Sequence, residues 1–452
     1  MNKSNKKVSI TDNLKFIIPS LLGIVLFMIP IKHNNEITIP IAILSKSLVN
    51  YLGESLIYII TGFLIASAII SSITSILKPK FILNNKFLAS LFKVSPIWLI
   101  ARVTGGIFGV FAAFNIGPEF ISGNLTGSFV LHDLLTILFS IFLFAGLFLP
   151  LLLNFGLLEF VGALFTKIMR PVFKLPGRSS IDCITSWLGD GTLGIILTSK
   201  QYEEGFYNER EAATISTTFS AVSITFSLVV ISQVGLSNMF IPFYLTVTAA
   251  GIFAAIVVPR IPPLSKKSTA YYNGESKDDL EVIPEGYTQL SWGYKNAIEK
   301  AKTSTGIKSF IIDGIENVLD MWLGVLPVVM CLATIALIIA EYTSIFQILG
   351  TPFIPILKLL NVPEAVAASQ TLVVGFADML LPSVLAANTI TNEMTKFIIA
   401  SVSVTQLIYM SEVGGVLLGS KIPVNLKELL IIFIERTLVT LPVIVLIANL
   451  LF

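Results

Sequence analysis

Two apolar stretches, each long enough to enter a bilayer, carry a charged break in the middle. The first runs from Ser179 to Thr217 and places Gly189-Asp190-Gly191 inside what otherwise reads as one helix. The second runs from Ala365 to Ser401 and is broken at Gly375-Phe376-Ala377-Asp378, with Pro382 just beyond. Each glycine weakens a helix by about 1 kcal/mol relative to alanine. An aspartate in hydrocarbon costs a further ~2.5–3.5 kcal/mol. A membrane segment carries such a break where its backbone lines a cavity rather than lipid. Interrupted segments in matching places of two halves are the strongest sequence pointer to a solute site between repeats.

The composition agrees with a membrane chain. Of 452 residues, 54% are hydrophobic and 13% charged, against about 25% charged in soluble domains. Two cysteines (Cys183, Cys331) and two histidines (His33, His132) give no disulfide framework, haem site or His-rich metal centre. No cofactor is expected. The net charge of +2 gives no reason to invoke nucleic acid. The first apolar run, 14–31, is a full span without a small-residue cleavage site, so it reads as a retained helix.

Further spans fall at 55–77, 96–114, 131–154, 209–233, 238–258, 309–341, 394–419 and 427–451, with interfacial stretches at 36–53, 157–175 and 343–360. The basic residues order them. With the basic tail (Lys3, Lys6, Lys7) in the cytoplasm, the loop holding Lys78, Lys80, Lys86 and Lys93 is inside, 115–129 outside and 167–178 inside. The loop 259–308 carries eight Lys or Arg and belongs inside. It lands there only if 179–200 dips into the membrane and returns. The same reasoning makes 363–390 a second hairpin, on the outer side. The expected fold is an all-α polytopic membrane protein with about nine transmembrane helices and two re-entrant hairpins.

The halves repeat in order. Pro176 corresponds to Pro363, Leu149-Pro150 to Leu326-Pro327, and Asn208-Glu209 to Asn392-Glu393; Ser232-Gln233-Val234-Gly235 resembles Ser411-Glu412-Val413-Gly414. The first copy runs out-to-in and the second in-to-out, an inverted-topology repeat. This divides the chain into N-terminal helices (1–130), a first repeat (131–258), a cytoplasmic loop (259–308) and a second repeat (309–452).

The segments Ser186-Trp187-Leu188-Gly189-Asp190-Gly191, Tyr207-Asn208-Glu209-Arg210-Glu211-Ala212 and Gly375-Phe376-Ala377-Asp378 resemble the Gate, or nucleoside-recognition, domain. The whole chain resembles the YjiH-type bacterial inner-membrane proteins. The resemblance covers roughly 140–450. It implies a transporter-like membrane protein distantly similar to concentrative nucleoside transporters, and it names no substrate.

Asp190 and Asp378 are the first candidates for binding a cationic solute group, or a coupling Na⁺ or H⁺. The alternative is that each caps a half-helix N-terminus, where aspartate is favoured anyway. Gly189 and Gly375 would let backbone approach the solute, and Trp187 would stack on it. Glu412 lies within the span 394–419 and should face the bundle, with Gln406 below it. The matching span offers Gln233 and a row running from Ser216 to Thr225, which equally suits close helix packing. Asn208 and Asn392 read as helix caps. Arg102 is expected to snorkel to the inner surface, and Asp313, Glu316 and Asp320 to form a solvated face. Tyr202 and Trp322 read as interfacial anchors. Glu435-Arg436 is expected to pair internally or with Asp378 or Glu412.

These features favour a secondary transporter of a small polar or zwitterionic solute, nucleoside-like or amino-acid-like, in a bacterial cytoplasmic membrane with the N-terminus inside. The alternative is a structural or gating membrane module that acts with a partner protein and moves no solute. An enzyme is disfavoured because no His-based metal spacing, nucleophile elbow or phosphate loop occurs. The expected partners are the solute and the bilayer, with homo-oligomerisation left open.

Overall fold

Among the described residues, seven helical segments are long and apolar enough to cross a bilayer: Ile10–Met28, Ser55–Leu77, Pro96–Phe114, Glu119–Leu153 (which turns at residues 123–126), Ser237–Arg260, Lys308–Tyr342 and Leu426–Leu451. The structure, a computed structural model, describes residues 9–29, 31–33, 36–188, 191–219, 222, 224–272, 274, 283–304 and 306–452. Two further spans are each divided into half-helices, Glu209–Thr218 with Ile224–Gln233 and Glu393–Gln406 with Val413–Gly419. With these two the described residues offer nine candidate crossings, the number the hydropathy pattern predicts, but both divided spans read as continuous in the sequence. Two hairpins complete the fold. Hairpin 1 joins Ser179–Leu188 to Gly191–Glu203, and hairpin 2 joins Ala365–Leu372 to Leu381–Thr389.

Both hairpins return to the side they left, because each is clamped at its base. In hairpin 2 the Glu364 carboxylate accepts the backbone N–H groups of Thr391 (3.0 Å) and Asn392 (3.2 Å), and the Thr395 hydroxyl donates to Pro363 O at 2.9 Å. In hairpin 1 Arg178 Nε donates to Gln201 Oε1 at 2.6 Å and Tyr207 OH to Asp182 Oδ2 at 2.6 Å. The chain leaving hairpin 1 then meets the hydrophilic loop: Glu209 N donates to Ala270 O at 3.0 Å and Arg210 Nη2 to Lys267 O at 3.0 Å. Lys267 in turn pairs with Glu428 at 2.8 Å, at the start of the last helix. Residues 200–210, 260–271 and 421–428 therefore share one face of the protein. The helix Lys308–Tyr342, level with the end of hairpin 1 at Asp320, is long and apolar enough to carry the chain from that side to hairpin 2 on the other. The hairpins thus open to opposite sides, and the repeat is inverted.

Local signals set the helix starts. Asn208 accepts from Glu211 N at 3.0 Å while Glu211 accepts from Asn208 N at 3.1 Å, a reciprocal cap. Asn392 accepts from Thr395 N at 3.0 Å. The two Asn-Glu pairs are caps, as read. The Ser-Val-Gly resemblance is not a structural equivalence: Ser232–Gly235 ends a span, whereas Ser411–Gly414 begins a half-helix in mid-membrane.

Several residues assigned to membrane surfaces pack inside instead. Arg102 is buried and donates Nη1 to Ser71 Oγ (2.9 Å) and Leu91 O (2.8 Å), because the short helix Lys86–Phe92 folds back over it. Trp322 stacks on Phe139 with ring centroids 4.0 Å apart and donates Nε1 to Phe139 O at 3.0 Å. Tyr202 is buried against the edge of Tyr272. Asp320 is not on a solvated face. It sits in the π-wound segment Asp320–Val325 and pairs with Lys200 of hairpin 1 at 3.1 Å.

Candidate functional site

The half-helices Glu209–Thr218 and Glu393–Gln406 end inside the protein, each leaving carbonyls in its last turn without helical donors. One side chain of the last helix serves both. Arg436, buried to 2% exposure, donates Nε and Nη2 to Thr405 O at 2.9 and 2.7 Å. Its Nη1 reaches Thr217 O at 3.3 Å and Thr218 O at 3.1 Å. No acid among the described residues pairs with Arg436, so the expected pairing with Asp378 or Glu412 is not the one formed. The electrostatics still close: a helix C-terminus carries roughly half a negative charge, and two of them offset about one guanidinium.

The second break is tied to hairpin 2. Leu407 takes a left-handed φ of 65° and ends the half-helix. The extended chain beyond it bonds to the hairpin tip, Met410 N to Phe376 O at 2.8 Å and Ser411 N to Ala377 O at 2.9 Å. Gln406 Nε2 donates to Leu372 O (2.8 Å) and Thr437 Oγ1 (2.9 Å). Its Oε1 lies so close to Gly375 that a methyl group there would overlap it unless the Gln406 side chain moved. Asp378 accepts from Leu380 N at 2.8 Å, and its carboxylate also bonds the Ser411 side chain. Asp378 thus bonds the turn just ahead of the helix Leu381–Thr389, whose N-cap is Leu380. Glu412 is not within a continuous helix; it stands at the N-cap of Val413–Gly419.

A cavity of about 340 Å³ lies where the first break, the second break and hairpin 1 converge. Trp187 and Cys183 of hairpin 1, Phe219 and Val222 of the first break, Thr405 and Leu407 of the second, Tyr244 of the neighbouring span, and Arg436 all line it. Its size falls in the range of small-molecule sites, about 300–1,000 Å³. Of the described lining residues, Arg436 alone is charged, and its donors are turned to the helix ends.

The proposed site residues thus divide. Trp187 lines the cavity. Gly375, Gln406, Asp378 and Glu412 come together around the second break and hairpin 2, and none of the four lines the cavity. Gln233 is exposed at the last residue of its half-helix, apart from the others, because the first break falls ten residues earlier than a site at Gln233 requires. Gly189 and Asp190 lie outside the described residues, as do Ser220 and Ser223. No described carboxylate lines the cavity, which removes Asp378 and Glu412 as reasons to expect an amine there.

Sequence reasoning missed the base of hairpin 1. Asp182, 1% exposed, accepts from Gln201 Nε2 (2.6 Å), Tyr207 OH (2.6 Å) and Thr198 Oγ1 (3.3 Å). The signal was present: an aspartate one turn into an apolar arm needs several donors, and Gln201 and Thr198 lie one turn apart on the returning arm.

Residues 135–237 match the Gate family, described as nucleoside recognition. An uncharacterized protein of Alkalihalophilus pseudofirmus is 51% identical over 442 residues, spanning 98% of this chain and 95% of that one. A solved structure of a doubly substituted CNTnw in an outward-facing state overlays with a TM-score of 0.30 at 13% identity, over 99% of this chain and 92% of that chain.

Proposed function

We propose that this chain, which belongs to the same family as the Alkalihalophilus pseudofirmus protein and carries a Gate nucleoside-recognition region, is a secondary transporter of a small solute of nucleoside-like size. The observation that carries the reading is the cavity at the meeting point of both divided spans and hairpin 1. Divided helices whose ends meet between inverted repeats are the arrangement in which one repeat can rock against the other around a fixed site. The walls favour a solute with a flat apolar face: Trp187, Phe219 and Tyr244 offer rings, while Thr218, Thr248 and Thr405 offer a few hydrogen-bonding groups. In this reading ion coupling drives uptake. The basic loops lie in the cytoplasm of a bacterial cell, and so does the N-terminus.

The test is a thermal-shift screen of the purified protein with nucleosides, amino acids and small amines, followed by uptake into proteoliposomes. A nucleoside-like compound should raise the melting temperature and be taken up. Trp187→Ala should weaken its binding at least tenfold while the protein keeps its fold. Tight binding by a partner protein, with no flux of any compound that binds, would instead favour a gating module.

A further inference from the structure

The base of hairpin 1 buries more acid than base. Glu159, on the helix Leu157–Phe173, is 8% exposed, and neither of its carboxylate oxygens receives a hydrogen bond. The nearest cationic nitrogen is Arg178 Nη2 at 3.7 Å, itself without a hydrogen-bond acceptor. Arg178 spends its Nε on Gln201 (2.6 Å) and lies flat over the Phe206 ring at 3.4 Å. Gln201 passes the connection on to Asp182. One guanidinium therefore serves two buried carboxyl groups, Glu159 directly and Asp182 through Gln201.

The surrounding charges are engaged elsewhere. Lys300, on the helix Gln289–Thr303, approaches only the Phe206 ring, at 5.8 Å. Arg170 is held by Glu211 at 2.7 Å, and Lys200 by Asp320 and Glu203. From the first helix, Asp12 pairs with Lys302 at 3.4 Å and Lys15 is exposed. Tyr207 donates its hydroxyl to Asp182, and Cys183 adjoins it. Among the described residues, no second cation comes within ion-pair distance of either carboxyl group.

We infer that Glu159, Arg178 and Asp182 form a proton-binding site in which one of the two carboxyl groups carries an exchangeable proton. With both carboxyl groups ionised, a buried negative charge would remain uncompensated, and a group in that position neutralises instead. A proton from the aqueous phase adds to one carboxylate oxygen, and no other bond changes. Asp182 already receives three donors, whereas Glu159 receives none, so the cluster has one satisfied acid and one orphan. The residues after Asp182, Cys183 and Ile184, line the cavity, so charge at this site bears on the arm that faces the solute. Its role as the coupling proton rests on the transporter reading; the site itself does not.

Infrared spectroscopy of the full-length protein in lipid nanodiscs tests it without any solute. At pH 7 the wild type should show the C=O stretch of an un-ionised carboxyl group. Glu159→Gln and Asp182→Asn should each remove that band, because the surviving carboxyl is then ionised opposite Arg178. Absence of the band in the wild type, or its survival undiminished in both variants, overturns the site. A band that behaves as expected in a protein that moves no solute upholds the site and counts only against the transporter reading.

Discussion

Arg436 gives two of its hydrogen bonds to a single acceptor, the carbonyl oxygen of Thr405, from Nε at 2.9 Å and Nη2 at 2.7 Å. The remaining bonds cross to Thr217 and Thr218 in the other repeat. One side chain of the last helix thus pins two half-helix ends that are almost 190 residues apart in the chain. The same side chain lines the cavity.

Replacing Arg436 with methionine should therefore strip donors from both helix ends. Leaving a buried carbonyl without its donor costs about 1–3 kcal/mol, and a loss of at least that order is expected in denaturant unfolding of the detergent-solubilised protein. Arg436→Lys keeps the charge but lacks the fork needed to reach both ends, so it should recover less than half of the loss. A lysine variant as stable as wild type would mean that charge alone, and not the bridging geometry, holds the breaks.

Gly375→Ala should displace Gln406, whose Oε1 occupies the space a methyl group would need. Overpacking of this kind costs about 1–3 kcal/mol, and Gln406 would also lose its bonds to Leu372 O and Thr437. Combining Gly375→Ala with Gln406→Ala should destabilise by less than the sum of the two single changes, since the clash disappears with the side chain. Strict additivity in a double-mutant cycle would contradict the contact.

The Lys200–Asp320 pair joins hairpin 1 to the first span of the second repeat, with both side chains mostly buried (18% and 26% exposed). Lys200→Met alone leaves Asp320 buried among fewer cations and should be the more harmful change; Lys200→Met with Asp320→Leu should regain much of the stability. We expect a coupling of about 1 kcal/mol or more in the cycle. A coupling near zero would reduce the pair to a surface contact.

For topology, in a background with Cys183 and Cys331 replaced by serine, a cysteine at Asn208 should share its labelling side with one at Tyr287. A cysteine at Thr391 should label from the opposite side. Impermeant reagent added outside right-side-out vesicles should reach position 391 and neither of the others. Labelling of 208 from outside would turn hairpin 1 into a full crossing.

Much of the architecture follows from local chemistry along the chain. Apolar run lengths set the spans, basic loops set which segments share a side, and Asn208 and Asn392 start helices wherever they occur, because a side-chain oxygen at an N-cap satisfies its own helix. The hairpins were legible for the same reason: Gly189-Asp190-Gly191 and Gly375 to Asp378 oppose a continuous apolar helix within a few residues of sequence. The divided spans were not. Phe219 to Val222 and Leu407 to Tyr409 contain no glycine or proline, and nothing local forbids helix there. Those breaks persist because distant groups take up the freed backbone: Arg436 at both helix ends, and Phe376 and Ala377 for the chain after Leu407. The same reason moved the cavity away from Asp378 and Glu412 and brought Arg178, Gln201 and Asp182 together. Where a polar group is buried in a membrane protein, its partners come from whichever helix packs beside it, and that is a property of the assembled bundle rather than of any stretch of sequence.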